Sequence, residues 1–226
     1  MHWIILIALI LGLVFGPGLW ARWVLSRHAD DRPDFPGTGG ELARHLLDEA
    51  GLETVRVEHT DQGDHYDPQD RAVRLTPGNM DGRSLTAVTV AAHEVGHALQ
   101  DRDSYTPLQT RTAMVKWAAG LQKVGSAIMF GSFFLGAATQ SPGVTLLVAG
   151  AGVATMASAV LVHLVTLPVE FDASFNRALP VLEQGGYLPR DDMPAARSIL
   201  KACALTYVAG SLMSLLNLWR WIRFFR

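Results

Sequence analysis

Two histidines four residues apart, with a glutamate after the first, stand in the stretch AAHEVGHALQ from Ala91 to Gln100. On a helix, positions i and i+4 share one face. His93 and His97 can therefore offer their imidazoles to a single Zn2+. Glu94 is turned about 100° from His93. That is too far round to join the same tetrahedron, but well placed to act on a water at the metal's open position. An unpaired buried glutamate is costly in a merely structural helix, and the neighbours Val95, Gly96, Ala98 and Leu99 are uncharged. We therefore expect one zinc ion per chain, with His93 and His97 as ligands and Glu94 as general base.

A catalytic zinc site takes three protein ligands. Two carboxylates compete for the third place. Glu170 ends a long uncharged run, which would return it to the helix of His93. Asp172 is its rival and lies about 200° from it around an ideal helix. Glu170 is the better placed of the two. His28 and His45 read as solvated, and His163 as a packing or hydrogen-bonding group rather than a ligand. Donors for a developing oxyanion are sought in DHYDP, at His65 and Tyr66, with Arg177 behind them. Asp64 and Asp67-Pro68 in the same stretch are also ordinary turn formers.

These residues need elements to hold them. Ser84 is a fitting N-cap for the zinc helix, which should run to Gln100 or Asp101 with Leu85, Val88, Ala92, Val95 and Leu99 as its buried stripe. A second helix is expected over 38–50, on Leu42, Leu46, Leu47 and Ala50, with Gly51 as its stop. ETVRVEHT and RAVRLT each alternate as strands do. Joined by the turn-rich DQGDHYDPQD, they read as a β-hairpin with a long loop. AVRLT could serve as an edge strand that adds an extended peptide.

Trp3 to Ala21 carries no charge and reads as a retained membrane anchor. A cleaved signal peptide would want a basic start and a small-residue cleavage site, and neither is present. No charge appears between Lys123 and Glu170, and QSPG interrupts that run. Two spanning helices are expected, over 117–139 and 144–167, packed through small residues. Ala202 to Trp219 is a further apolar run, followed by RWIRFFR, a tail suited to a lipid interface.

The expected fold is mainly α, an integral membrane zincin-like architecture with about four transmembrane helices. It carries a small α+β water-facing catalytic region containing the β-hairpin and the H-E-x-x-H helix. The segments are an anchor (1–25), the water-facing region (26–116), a transmembrane hairpin (117–167), a third-ligand segment (168–201) and a last span with its tail (202–226). Arg22, Arg27, Arg111, Lys116, Arg177, Arg197 and Lys201 flank the water-facing side, so the positive-inside rule points that side to the cytoplasm. Arg220, Arg223 and Arg226 pull the other way.

A net charge of -2 gives no reason to expect nucleic acid as a partner. The expected partners are protein or peptide substrates and the lipid bilayer. The single cysteine, Cys203, excludes an intrachain disulfide and reads as a small buried hydrophobe.

DHYDP, RLTP, AAHEVGHALQ and PVEFDAS, in that order, resemble the YugP-like neutral zinc metallopeptidases, a bacterial family of membrane proteases. GGELARHLLDEAGL and ALTYVAGSL extend the resemblance over nearly the whole chain. The layout is also similar to the HtpX-type membrane metalloproteases. The resemblance implies a gluzincin-like site, with His93, His97 and Glu170 as ligands and Glu94 as base, in a bacterial inner membrane. The HtpX type has an aspartate four residues after its glutamate ligand; here that position is Ser174. Asp172 or another group must then orient the histidines.

The leading reading is a membrane-embedded zinc endopeptidase for unfolded or membrane-associated proteins. Its rivals are an intramembrane protease of the site-2 type, on the faint signal of NMDG at Asn79–Gly82, and a non-catalytic zinc-bound scaffold. The scaffold needs a closed site of four protein ligands.

Overall fold

The computed structural model describes residues 2–139 and 142–206. Helix α1 (His2–Arg27) is followed by α2 (Gly39–Glu49) and by three short strands, β1 (Arg56–His59), β2 (His65–Asp67) and β3 (Ala72–Leu75). A short turn of helix, α3 (Pro77–Met80), precedes α4 (Leu85–Arg102), the helix that carries His93, Glu94 and His97. Two long helices, α5 (Thr106–Thr139) and α6 (Pro142–Phe171), pack against each other. A π-helical stretch (Asp172–Ala178) continues α6 and leads into α7 (Leu179–Gln184). Residues 193–206 are helical again.

The local signals of α2 and α4 are realised in side-chain bonds. Thr38 caps α2 by accepting from the Glu41 backbone N–H at 3.2 Å, while Glu41 accepts from the Thr38 N–H at 2.8 Å. This reciprocal pair satisfies two backbone donors that a helix start leaves open. Gly51 follows at φ 70, a left-handed value that suits glycine. Ser84 caps α4, its hydroxyl accepting from Ala87 N at 3.0 Å.

The strands depart from the expected hairpin. β1 pairs with β3 in parallel, with Arg56 opposite Ala72, and the order across the sheet is β1-β3-β2. β2 arises inside the turn-rich connection and pairs antiparallel to β3, with Tyr66 opposite Val73. AVRLT is therefore the central strand, and HYD is an edge. Alternation shows that a segment is extended but not which segment it pairs with. A three-residue strand such as β2 is too short to show a period.

The expectation of about four transmembrane helices is also overturned: among the described residues, no helix is long and apolar enough to cross a membrane. Lack of charge was the sign used, and it is weaker than sustained hydropathy. The described positions of α6 include Gly150, Ser158 and Thr166, and those of α5 include Arg111 and Lys116. The sidedness argument built on those spans falls with them. The RWIRFFR tail and most of the last apolar run lie outside the described residues.

The core gathers around α4, whose residues from Leu85 to Gln100 are all buried. Leu47 of α2, Val73 and Leu75 of β3, Leu182 of α7, and Ile199 and Leu200 are fully enclosed beside it. A helix buried on every side must satisfy its polar side chains internally. That requirement shapes the metal centre.

Candidate metal centre

Along α4, Thr86, Val90, His93, Glu94 and His97 form the stripe that lines a cavity of about 500 Å³. Glu170 closes it from the end of α6. Asp64, His65 and Tyr66 line it from β2 and the turn before it, and Cys203 and Thr206 from the last helical segment. The buried group His93, His97 and Glu170 brings one ligand atom from each residue within 4.8 Å of the others. Glu170 Oε2 lies 3.2 Å from His93 Nε2 and 3.4 Å from His97 Nε2. Two ligands of a tetrahedral zinc with bonds of about 2.0–2.1 Å stand about 3.3–3.4 Å apart. The spacing fits the ion.

Hydrogen bonding shows why these atoms need a cation. The Gln100 amide nitrogen donates to the Val169 carbonyl at 2.8 Å and to Asp172 Oδ2 at 2.9 Å. Both partners only accept, so the amide cannot be turned round. Its oxygen must face His97 Nδ1, at 2.9 Å, and that nitrogen must carry the proton. Likewise the Ser174 hydroxyl donates to the Leu200 carbonyl at 3.1 Å and accepts from His93 Nδ1 at 3.0 Å. Both neutral imidazoles thus present an Nε2 lone pair to the carboxylate. Both Glu170 oxygens are buried without a hydrogen-bond partner. Three converging lone pairs, shielded from water, repel one another unless a cation sits among them. His93, His97 and Glu170 would hold Zn2+, and their donor set suits that metal.

Glu170 itself is fully buried. Burial alone would raise its pKa, and positive charge at His97 and His93 outweighs that effect; with both rings neutral, a bound cation would have to supply that charge. Arg111 stands 4.0 Å from its other oxygen. Burial dominates at Glu94: it lifts the carboxyl pKa to about 7, helped by Glu170 and Asp64 and opposed by His93. A carboxyl poised there can both take and give a proton near neutrality. Cys203 lines the cavity but is outside the ligand group, and burial with Glu94 and Glu170 nearby pushes its thiol pKa well up.

The close approach of α4 to the π stretch depends on Gly96. A Cβ there would lie 2.6 Å from the Ala173 carbonyl oxygen. The π turn, closed by the Leu179 N–H on the Ser174 carbonyl, makes the expected angles around α6 inapplicable. Asp172 does not point away from α4, as a regular helix would require. Its Oδ2 accepts both from Gln100 and, at 2.8 Å, from Arg177. Asp172 therefore steadies His97 through Gln100, and Ser174 steadies His93. The long-range roles of Gln100 and Ser174 carried no sequence signal beyond their nearness to the ligands. Arg177, expected behind the oxyanion donors, instead bonds Asp172 and Asp103 and lies over the Tyr105 ring.

His65 and Tyr66 both reach the cavity wall. The Gly63 carbonyl accepts from His65 Nδ1 at 2.8 Å, which leaves Nε2 as the ring's other functional atom. The Tyr66 hydroxyl donates to Asp101 at 2.8 Å, and burial together with Asp101 raises its pKa further. Asp64 is consumed in holding this strand in place. It accepts from Thr76 N and Thr76 Oγ1, and from the Asn79 amide at 2.8 Å. His45 bonds the Tyr187 hydroxyl at 3.1 Å, away from the cavity, and the His163 side chain lies outside the described residues.

Compared with known proteins, residues 3–226 match a family described as "Putative neutral zinc metallopeptidase". The chain belongs to this family. It is also 37% identical, over 95% of its length and 92% of the relative's, to the "Putative membrane protease YugP" of Bacillus subtilis (strain 168). No solved structure matches the chain. The family's name suggests zinc, and the buried His-His-Glu group agrees with it.

Proposed function

We propose that the protein is a zinc-dependent endopeptidase, with His93, His97 and Glu170 as ligands and Glu94 as general base. One observation carries this reading: three buried lone-pair atoms at zinc-ligand spacing, with a carboxyl poised near pH 7 beside them. When bound, the metal supplies a Lewis acid that polarises the scissile carbonyl and acidifies water. Glu94 takes a proton from the attacking water as the new C–O bond forms. It passes that proton to the leaving nitrogen as the C–N bond breaks. His65 donates to the developing oxyanion from Nε2 in its protonated form. Tyr66, tied to Asp101, positions the strand that carries His65. An extended peptide adds to the open edge of β2, whose residues line the cavity.

The substrates are unfolded or membrane-associated proteins, and the enzyme works at a lipid surface. The relative's name supports that setting, as do large apolar side chains exposed on α1, α5 and α6, among them Leu19, Trp117 and Leu164.

The test is the Glu94→Gln variant. It should retain zinc and lose at least about 100-fold in peptidase activity. Full activity in that variant would refute the mechanism.

A further inference from the structure

Part of the cavity wall is built by the end of α1. Arg22, Leu25 and Ser26 follow the i, i+3, i+4 spacing of one helix face, and all three line the cavity. This end of α1 is fixed to the zinc helix. The Thr86 hydroxyl donates to the Leu25 carbonyl at 2.8 Å, and the Thr86 N–H donates to the His28 carbonyl at 3.0 Å. Thr86 itself lies on the cavity-lining stripe of α4. The turn of α1 that carries Arg22 is therefore anchored close to the helix of His93.

Charges around the cavity are unevenly matched. Asp64 is saturated by its three donors, and Glu170 is turned to the histidines with Arg111 close by. Arg22 makes no hydrogen bond or ion pair with any described residue. A bound dication would add to the positive side. A cleft with this balance focuses potential that attracts anions. Arg22 is exposed and lines the cavity, so a substrate that fills the cavity meets its guanidinium, and an acceptor there gains a charge-assisted bond. The guanidinium fork matches a carboxylate in two parallel bonds.

We propose that Arg22 is the core of a carboxylate-binding subsite, which selects peptides carrying an acidic group beside the scissile bond. This rests on the peptidase reading for the nature of the ligand. The carboxylate is either an acidic side chain or the chain's own C-terminus.

The experiment measures binding by calorimetry to the zinc-loaded Glu94→Gln protein, so that turnover plays no part. One pair of amidated peptides differs by Glu against Gln at a single interior position, scanned along the peptide. A second pair has a neutral interior and a free or amidated C-terminus. At least one pair should favour the carboxylate by about tenfold. Arg22→Gln should abolish that preference, and Arg27→Gln, at a position off the cavity wall, should keep it. No preference in either pair, or a preference that survives Arg22→Gln, overturns the proposal. A preference that behaves as expected, in a protein whose wild type cleaves no peptide, would sink the peptidase reading and leave this subsite standing.

Discussion

Gly96→Ala should disable the metal centre without touching a ligand. The added methyl would start 2.6 Å from the Ala173 carbonyl oxygen, 3.2 Å from its carbonyl carbon and 3.3 Å from its Cα. Ordinary contact begins at 3.4 Å, so the π stretch must retreat by about 0.8 Å. These are backbone atoms and cannot rotate aside. Helix propensity favours alanine by about 1 kcal/mol, whereas overpacking costs about 1–3 kcal/mol. Stability therefore changes little or falls by up to about 2 kcal/mol. Zinc–ligand distances, however, keep to within about 0.2 Å of their standard values. The retreating segment carries Ser174, the partner of His93, and lies three residues beyond Glu170. Zinc affinity should fall about 10–100-fold or more, the scale of losing a ligand's support. Competition with a chromophoric chelator measures this directly. Gly150→Ala is the control: its Cβ would meet nothing within 4 Å, so it should gain helix stability and bind zinc normally. A Gly96→Ala protein with wild-type zinc affinity would refute the close-approach argument.

Three further outcomes follow from the same geometry. Gln100→Glu places a carboxylate oxygen against two acceptors, the Val169 carbonyl and Asp172, so zinc affinity should drop about 10–100-fold; unchanged affinity would show that Gln100 does not hold His97. His65→Ala should lower kcat about 10²–10³-fold with zinc content intact, and an unaltered kcat would remove His65 from the oxyanion role. The pH profile should carry an acid limb set by Glu94, whose base form is lost as pH falls. Burial raises its pKa from 4.5 to about 7 in the metal-free protein, and a neighbouring dication favours the ionised form, so the limb should lie between those values. In Glu94→Gln the residual activity should lack this limb; a limb that persists there belongs to another group.

Local signals in the sequence were faithful where the cause is local. The cap at Ser84, the stop at Gly51 and the shared face of His93 and His97 each depend on residues a few positions apart. Glu170 was legible because a long uncharged run ends on it. The sheet was not, since strand alternation says nothing of parallel or antiparallel pairing. The π stretch was invisible too, as was the close approach of Ala173 to Gly96, which joins two elements far apart in sequence. For the same reason the support from Gln100 and Ser174 could not be read: each joins partners on separate segments. The transmembrane expectation failed because absence of charge was taken as sufficient apolarity.

The central claim is the ligand set, and X-ray absorption at the zinc edge of the zinc-loaded full-length chain tests it most directly. The account predicts a first shell of nitrogen and oxygen alone at about 2.0–2.1 Å, with the scattering of two imidazoles and one carboxylate. A sulfur shell at about 2.3 Å, which Cys203 would supply, or a third imidazole would contradict it.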